Sequence, residues 1–216
     1  NNMIQIRRLE KPNILERKET EWLESFIKSG KSRPDSSKYA HKDIKDRLMQ
    51  MSHNKCFYSE YKFSDYEGEV DHYIEVNPNK GVAFDWDNLY LSLKQINNGK
   101  ISNCTIPVSS ALDPCSDSDH EIESHLFFEN AEISSYSPKG MQTIKKYQLN
   151  HALLVKIRLE KLVEFYITLQ KLNTNQITEN GRDLTEDEIV ILRRFAQPDY
   201  PFSLMFRLLL KKLNLL

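Results

Sequence analysis

Asp71 and His72 stand side by side, Asn88 follows His72 by sixteen positions, Asn97 comes nine further on, and Lys100 lies just beyond it. These residue types suit metal-assisted hydrolysis of a phosphodiester. That reaction needs a base able to deprotonate water near neutral pH and a hard cation to offset charge on the phosphate and the departing oxygen. A neutral imidazole, His72, meets the first need. A carboxylate and an amide oxygen, those of Asp71 and Asn97, are hard donors suited to Mg²⁺ or Mn²⁺, with room left for water and phosphate. There is one geometric condition. Adjacent side chains on a strand point to opposite faces, so Asp71 and His72 serve one site only where the chain bends or twists.

The elements that must hold these residues read as two strands and a helix. Glu69-Val70-Asp71-His72-Tyr73-Ile74 alternates as a strand does, Asn77-Pro78-Asn79-Lys80-Gly81 is rich in turn formers, and Asn88-Leu89-Tyr90-Leu91 is a second short strand, which together make a hairpin with a long loop. From Ser92 to about Lys100 the chain suits a short helix stopped near Gly99. Upstream, Ser36-Ser37 caps a helix running to about Met51, with Ile44, Leu48 and Met51 on one face. Downstream, Asp113-Pro114-Cys115-Ser116-Asp117-Ser118-Asp119 reads as an acidic surface loop. A longer helix is expected from about Thr143 to Leu172, broken by the Asn-rich residues 173–181, and Thr185 with Glu188 forms a capping box for a helix that ends before Pro198. The final segment puts Phe202, Phe206, Leu209, Leu213 and Leu216 on one face, but Leu208, Leu210 and Leu215 make it too apolar all round to stand alone in water. It either packs on its own chain or docks on a partner. The expected fold class is α+β and mainly helical, with a ββα unit embedded among helices. The expected segments are an N-terminal helical segment over 1–54, a core over 55–112, an acidic loop region over 113–142 and a C-terminal helical region over 143–216.

Composition narrows the classes. With 216 residues, 39% apolar and 28% charged, the chain has the balance of a soluble globular protein, and only 6 glycines favour helix. Lys and Arg number 30 against 31 Asp and Glu, which excludes a uniformly basic coat. The charge is polarised all the same. The first 62 residues carry 14 basic against 9 acidic side chains, whereas Ile101 to Pro138 has seven acids and no Lys or Arg. The basic excess reads first as a solvated helix face, with a grip on a phosphate backbone as the alternative. Cys56, Cys104 and Cys115 form no C-x-x-C pair and no disulfide framework. His41, His53, His120, His125 and His151 have no partner pattern and receive no role. No apolar run approaches the ~18 residues that span a bilayer, and the opening residues lack the apolar core of a signal peptide. A cytoplasmic location without membrane contact is expected, with Met3 as the natural start after Asn1 and Asn2.

The runs Lys55-Cys56-Phe57-Tyr58-Ser59-Glu60, Glu69-Val70-Asp71-His72, Ala83 to Ser92, Asn97-Asn98-Gly99-Lys100 and Leu112-Asp113-Pro114, with Leu149-Asn150 and Arg158, resemble HNH endonucleases. More narrowly, over about residues 36–158, they resemble the HNH subunits of Septu anti-phage systems, the PtuB family, and their retron-associated relatives. The resemblance implies a ββα-metal (HNH, His-Me) finger within the 55–112 core. It implies His72 as general base, Asp71 and Asn97 as ligands of Mg²⁺ or Mn²⁺, Asn88 as the residue that holds the loop and orients the His72 ring, and Lys100 as a phosphate contact. It further implies an antiviral effector, a metal-dependent endonuclease of nucleic acid with DNA favoured, working with an ATPase partner resembling PtuA. The alternatives are an RNA-cleaving nuclease of the same fold, or a silent HNH-fold adaptor that docks on the ATPase. The chain departs from the family where two C-x-x-C pairs often bind structural zinc: the positions read Cys56 and Ser59, then Leu93 and Ile96. Structural zinc is therefore expected to be absent, its place taken by apolar packing of Leu93 and Ile96 against Phe57 or Tyr58.

Overall fold

The computed structural model describes residues 3–179 and 181–216. Asn1 and Asn2, before the expected start, lie outside the described residues, as does Asn180 in the expected Asn-rich break. An extended N-terminal segment leads into α1 (Asn13–Lys28), α2 (Ser36–Tyr39) and α3 (Lys42–Met51). The single helix expected over 36–51 is thus two. Asp35 caps α2 by accepting the Ser37 N–H, and the His41 ring caps α3 by accepting the Asp43 N–H, with His41 in extended backbone between them. Ile44, Leu48 and Met51 are buried on one face of α3, as their spacing predicts.

β1 (Glu69–His72) pairs antiparallel with β2 (Leu89–Ser92), setting Asp71 opposite Tyr90 and His72 opposite Leu89. β2 is buried along its whole length. The turn at residues 55–62 lies against it through the Phe57 N–H on the Leu91 carbonyl, at 2.8 Å. The N-terminal segment straps the start of β2: the Arg8 guanidinium donates to the carbonyls of Trp86, Asp87 and Leu89 and lies over the Tyr90 ring. Helix α4 (Lys94–Ser102) follows directly. Gly99 does not stop it. A Cβ there would sit 2.9 Å from the Gln148 side chain, so this glycine admits a close approach and the helix runs three residues further.

Residues 113–118 are turns, but the acidic region beyond them holds α5 (Asp119–His125) and a second hairpin, β3 (Leu126–Glu129) with β4 (Glu132–Ser135). Asn130 takes the left-handed conformation in its turn. The helix expected from Thr143 is also two, α6 (Pro138–Lys146) and α7 (Ala152–Thr178), separated where Gln148 has positive φ and His151 caps α7. The buried Arg158 fills the corner by donating to the Leu149 and Leu154 carbonyls. α7 runs through most of the Asn-rich stretch. The capping box at α8 (Glu186–Arg193) forms as read, with Thr185 and Glu188 exchanging hydrogen bonds, and the helix ends before Pro198.

Two apolar clusters hold these elements. One gathers the N-terminal strap, α1, α3, both strands of the first hairpin and α4; the other joins α7 and α8 to α9 (Ser203–Lys212). The apolar last helix is absorbed by its own chain, with Leu204, Phe206 and Leu210 fully buried. A buried ion pair ties it to the first cluster. Lys55 and Glu60, each 2% exposed, meet at 2.7 Å; Glu60 accepts from the Leu204 N–H and the Ser203 hydroxyl at the start of α9, and Lys55 donates to the Tyr200 carbonyl. The architecture is α+β and mainly helical. Among the described residues no helix is long and apolar enough to cross a membrane.

Candidate active site

An open cleft of about 840 Å³ runs along β1. Its wall includes the consecutive residues Gly68 to His72 and none of β2, so it opens on the strand edge that carries no partner. The register of β1 with β2 is unbroken, so the bend expected of the strand is not what lets Asp71 and His72 share a site; the cleft lies at the strand edge instead. Asp71 reaches toward Tyr58 and α4 while the His72 ring reaches toward Tyr39 and Ala83, yet both border the same space. Asn97 and Lys100 enter it from α4, and Arg33, Lys45 and Lys94 stand on its walls beside Glu69 and Glu75.

The tautomer of His72 follows from its partner. Nε2 lies 2.8 Å from the Ala83 carbonyl oxygen, which can only accept, so Nε2 carries the proton and Nδ1 keeps a lone pair. Nδ1 has no hydrogen-bond partner among the described residues. Burial pushes the His72 pKa below the usual histidine value, against the opposing pull of the Ala83 carbonyl and Asp71, so the ring is neutral near pH 7. Tyr39 packs on it at 4.6 Å between ring centroids.

Asn88 holds the chain next to the Ala83 carbonyl. This buried amide accepts the Ile74 N–H at 2.6 Å and donates to the carbonyls of Ile74 at 3.0 Å and Val82 at 3.1 Å. Asn88 thereby pins both ends of the loop between the strands, one residue from the carbonyl that orients His72.

Asp71 is gripped on one oxygen. Its Oδ2 accepts from the Tyr58 hydroxyl at 2.9 Å and from Lys100 Nζ at 2.5 Å, while Oδ1 has no partner among the described residues. Burial holds the Tyr58 phenol well above its usual pKa, so it remains a donor. Lys100 is 2% exposed and also donates to the His72 carbonyl, at 2.7 Å. It stands inside the site, paired with Asp71, rather than out in solvent. Lys146 of α6 is a second buried cation nearby, its pKa lowered by burial and by the charge of Lys100, and it donates to the Ile106 carbonyl at 2.6 Å. Asn97 donates to Glu69 at 2.9 Å and leaves its own Oδ1 buried with no hydrogen-bond partner. A buried acceptor without a donor is costly unless something fills it.

Among the described residues no three His, Cys, Asp or Glu side chains converge as a metal site. The donors on offer are one carboxylate oxygen and one orphaned amide oxygen, a hard pair that suits a divalent cation completed by water and phosphate. The Lys100 ammonium opposes such a cation by already sharing the Asp71 charge. The four expected zinc positions come together differently. Cys56, Leu93 and Ile96 are buried in one cluster with Phe57 and Tyr58, Ser59 is buried beside Cys56, and the Leu93 N–H points at Cys56 Sγ from 3.4 Å. Burial pushes the Cys56 thiol up, which keeps it protonated.

Sequence reading missed Tyr58 as a partner of Asp71, Glu69 as a partner of Asn97, and the packing of Tyr39 on His72. Tyr58 and Glu69 each carried a signal, their places in the runs from Lys55 to Glu60 and from Glu69 to His72 already singled out; Tyr39 carried none. No family model matches the chain. It is 26% identical over 150 residues to Septu protein PtuB of Bacillus thuringiensis, a stretch covering 68% of this chain and 55% of that relative. The chain thus spans about half the length of the relative it matches, and its similarity is to a Septu protein.

Proposed function

We propose that the chain is a metal-dependent HNH endonuclease of Septu-type defence, its β1-β2-α4 unit a ββα-metal finger, hydrolysing phosphodiester bonds with DNA favoured. The observation that carries this reading is the His72 ring, neutral, with Nε2–H spent on the Ala83 carbonyl and Nδ1 free, lining the same cleft as Asp71 and as Asn97 with its orphaned amide oxygen. Asp71 Oδ1 and Asn97 Oδ1 are the groups that would hold Mg²⁺ or Mn²⁺, and the cation when bound supplies positive charge at the phosphate and the departing oxygen. His72 Nδ1 takes a proton from water in the cleft. The hydroxide forms a bond to phosphorus as the bond to the 3′-oxygen breaks, and that oxygen gains a proton from solvent. Arg33 and Lys94, exposed on the cleft walls, are suited to meet the flanking phosphates, the task first assigned to Lys100. The apolar closure around Cys56 and Leu93 replaces structural zinc. An ATPase resembling PtuA is the expected partner.

A second reading, a silent HNH-fold adaptor, draws on the Lys100–Asp71 pair, which neutralises the carboxylate a cation would need. One experiment separates the two. Plasmid DNA and a mixed RNA pool are incubated with the chain in Mg²⁺ or Mn²⁺, with and without the ATPase, and with His72→Ala as control. Cleavage abolished by His72→Ala and by EDTA supports the nuclease and names its substrate. Equal cleavage by wild type and His72→Ala removes His72 as base, and no cleavage under any condition favours the adaptor.

A further inference from the structure

Helix α7 has two apolar faces, and the fold uses one. Leu154, Arg158, Leu162, Phe165 and Leu172 point into the chain. Turned away from them, Leu159, Val163, Tyr166 and Ile167 are each about half exposed. Steps of four, three and one keep the four on a single stripe, continued by Gln170 and Thr174 to the exposed Ile177. Scattered exposed apolar residues need no explanation, but a stripe running along most of a 27-residue helix, about 40 Å long at 1.5 Å per residue, marks a contact surface.

The charges beside the stripe say what fits it. Glu164 and Lys161 are engaged within the chain, with each other and with Tyr200. Two remain on this border of the stripe: Glu160, whose ion pair with Lys156 is stretched to 4.0 Å, and Lys171, which makes no ion pair among the described residues. They lie equally far on either side of a point between Phe165 and Tyr166. A second α7 laid antiparallel about a two-fold axis through that point sets Glu160 of each copy beside Lys171 of the other, and Val163 of each near Ile167 of the other. A parallel two-fold pairing would put this border of the two copies on opposite sides of the seam and leave Glu160 and Lys171 without each other. We propose that the outer face of α7 is a self-complementary interface through which two copies of this chain pair antiparallel, with Val163 and Tyr166 at its centre and two Glu160–Lys171 ion pairs at its borders. The pairing stands independently of the nuclease reading.

The test is sedimentation velocity of the full chain over a range of concentrations, for wild type, Val163→Asp, Glu160→Lys, Lys171→Glu and the double reversal Glu160→Lys/Lys171→Glu. All four variants lie on solvent-facing positions, and circular dichroism checks that each retains its helix content. Wild type is expected to form a dimer that Val163→Asp abolishes. Each single reversal turns two attractions into two repulsions and should weaken dimerisation roughly tenfold, and the double reversal should restore it. A wild-type chain that stays monomeric at its highest soluble concentration overturns the proposal. So does a dimer unaffected by Val163→Asp, or one in which the double reversal is no better than the single ones.

Discussion

Asn88→Ala tests how the site is held. The amide makes three hydrogen bonds, to Ile74 N–H, Ile74 C=O and Val82 C=O, at 2.6, 3.0 and 3.1 Å. At about 1 kcal/mol net for each bond, removal costs roughly 3 kcal/mol if none is replaced. Ile74 is exposed, so water can serve its backbone groups in part, which lowers the expected loss to about 2 kcal/mol. Urea unfolding followed by circular dichroism should therefore show a lower midpoint with an unchanged slope. The second consequence is chemical. With Val82 released, the neighbouring Ala83 carbonyl no longer holds His72 Nε2, and a displacement of about 1 Å in a base is worth on the order of a hundredfold in rate. Cleavage, measured well below the unfolding midpoint, should fall on that scale while His72→Ala abolishes it. Asn88→Ala unfolding within about 0.5 kcal/mol of wild type would refute the view that this amide closes the loop. Full cleavage by a destabilised variant would refute the link from Asn88 to His72.

Three further outcomes follow from particular contacts. Glu60→Gln leaves the Lys55 ammonium buried without its carboxylate and should destabilise by about 3–5 kcal/mol in chemical denaturation, whereas adding Lys55→Met should recover much of the loss; a double variant no better than the single one would mean that the pair is not the joint between α9 and the first cluster. Tyr58→Phe removes one of the two donors on Asp71 Oδ2 and should weaken Mn²⁺ binding, read from the free-ion signal in electron paramagnetic resonance, by roughly tenfold with the fold intact; unchanged binding would show that Lys100 alone orients the carboxylate. Glu188, held down to about 2 by Arg182 and by the Thr185 backbone, has a lower pKa folded than unfolded, so its stabilising effect is full above the usual carboxylate value of 4.5 and is lost as pH falls from there toward 2. Glu188→Gln should accordingly flatten the acid limb of stability over that window, and an unaltered limb would remove Glu188 as its source.

Local chemistry made part of this protein legible. The alternation around Val70 and the turn residues after Val76 announce the first hairpin, and the Thr185–Glu188 box announces α8, because strand period and helix caps are decided by residues a few positions apart. Residue type and the family resemblance, rather than strand period, group Asp71, His72, Asn88 and Asn97, whose elements lie within one stretch of chain. Local reading failed where local signals compete. Asp35 and His41 each start a helix inside what reads as one apolar period, and Gln148 with His151 does the same before α7. What sequence spacing had no means of showing are contacts across the fold. Lys100 and Tyr58 meet on one oxygen of Asp71 only once α4 and the 55–62 turn have packed on the hairpin. Lys55 reaches the Tyr200 carbonyl across 145 positions. Whether a lysine faces solvent or closes on a buried carboxylate is settled by desolvation and by which partner lies within about 3 Å, and both are properties of the packed chain.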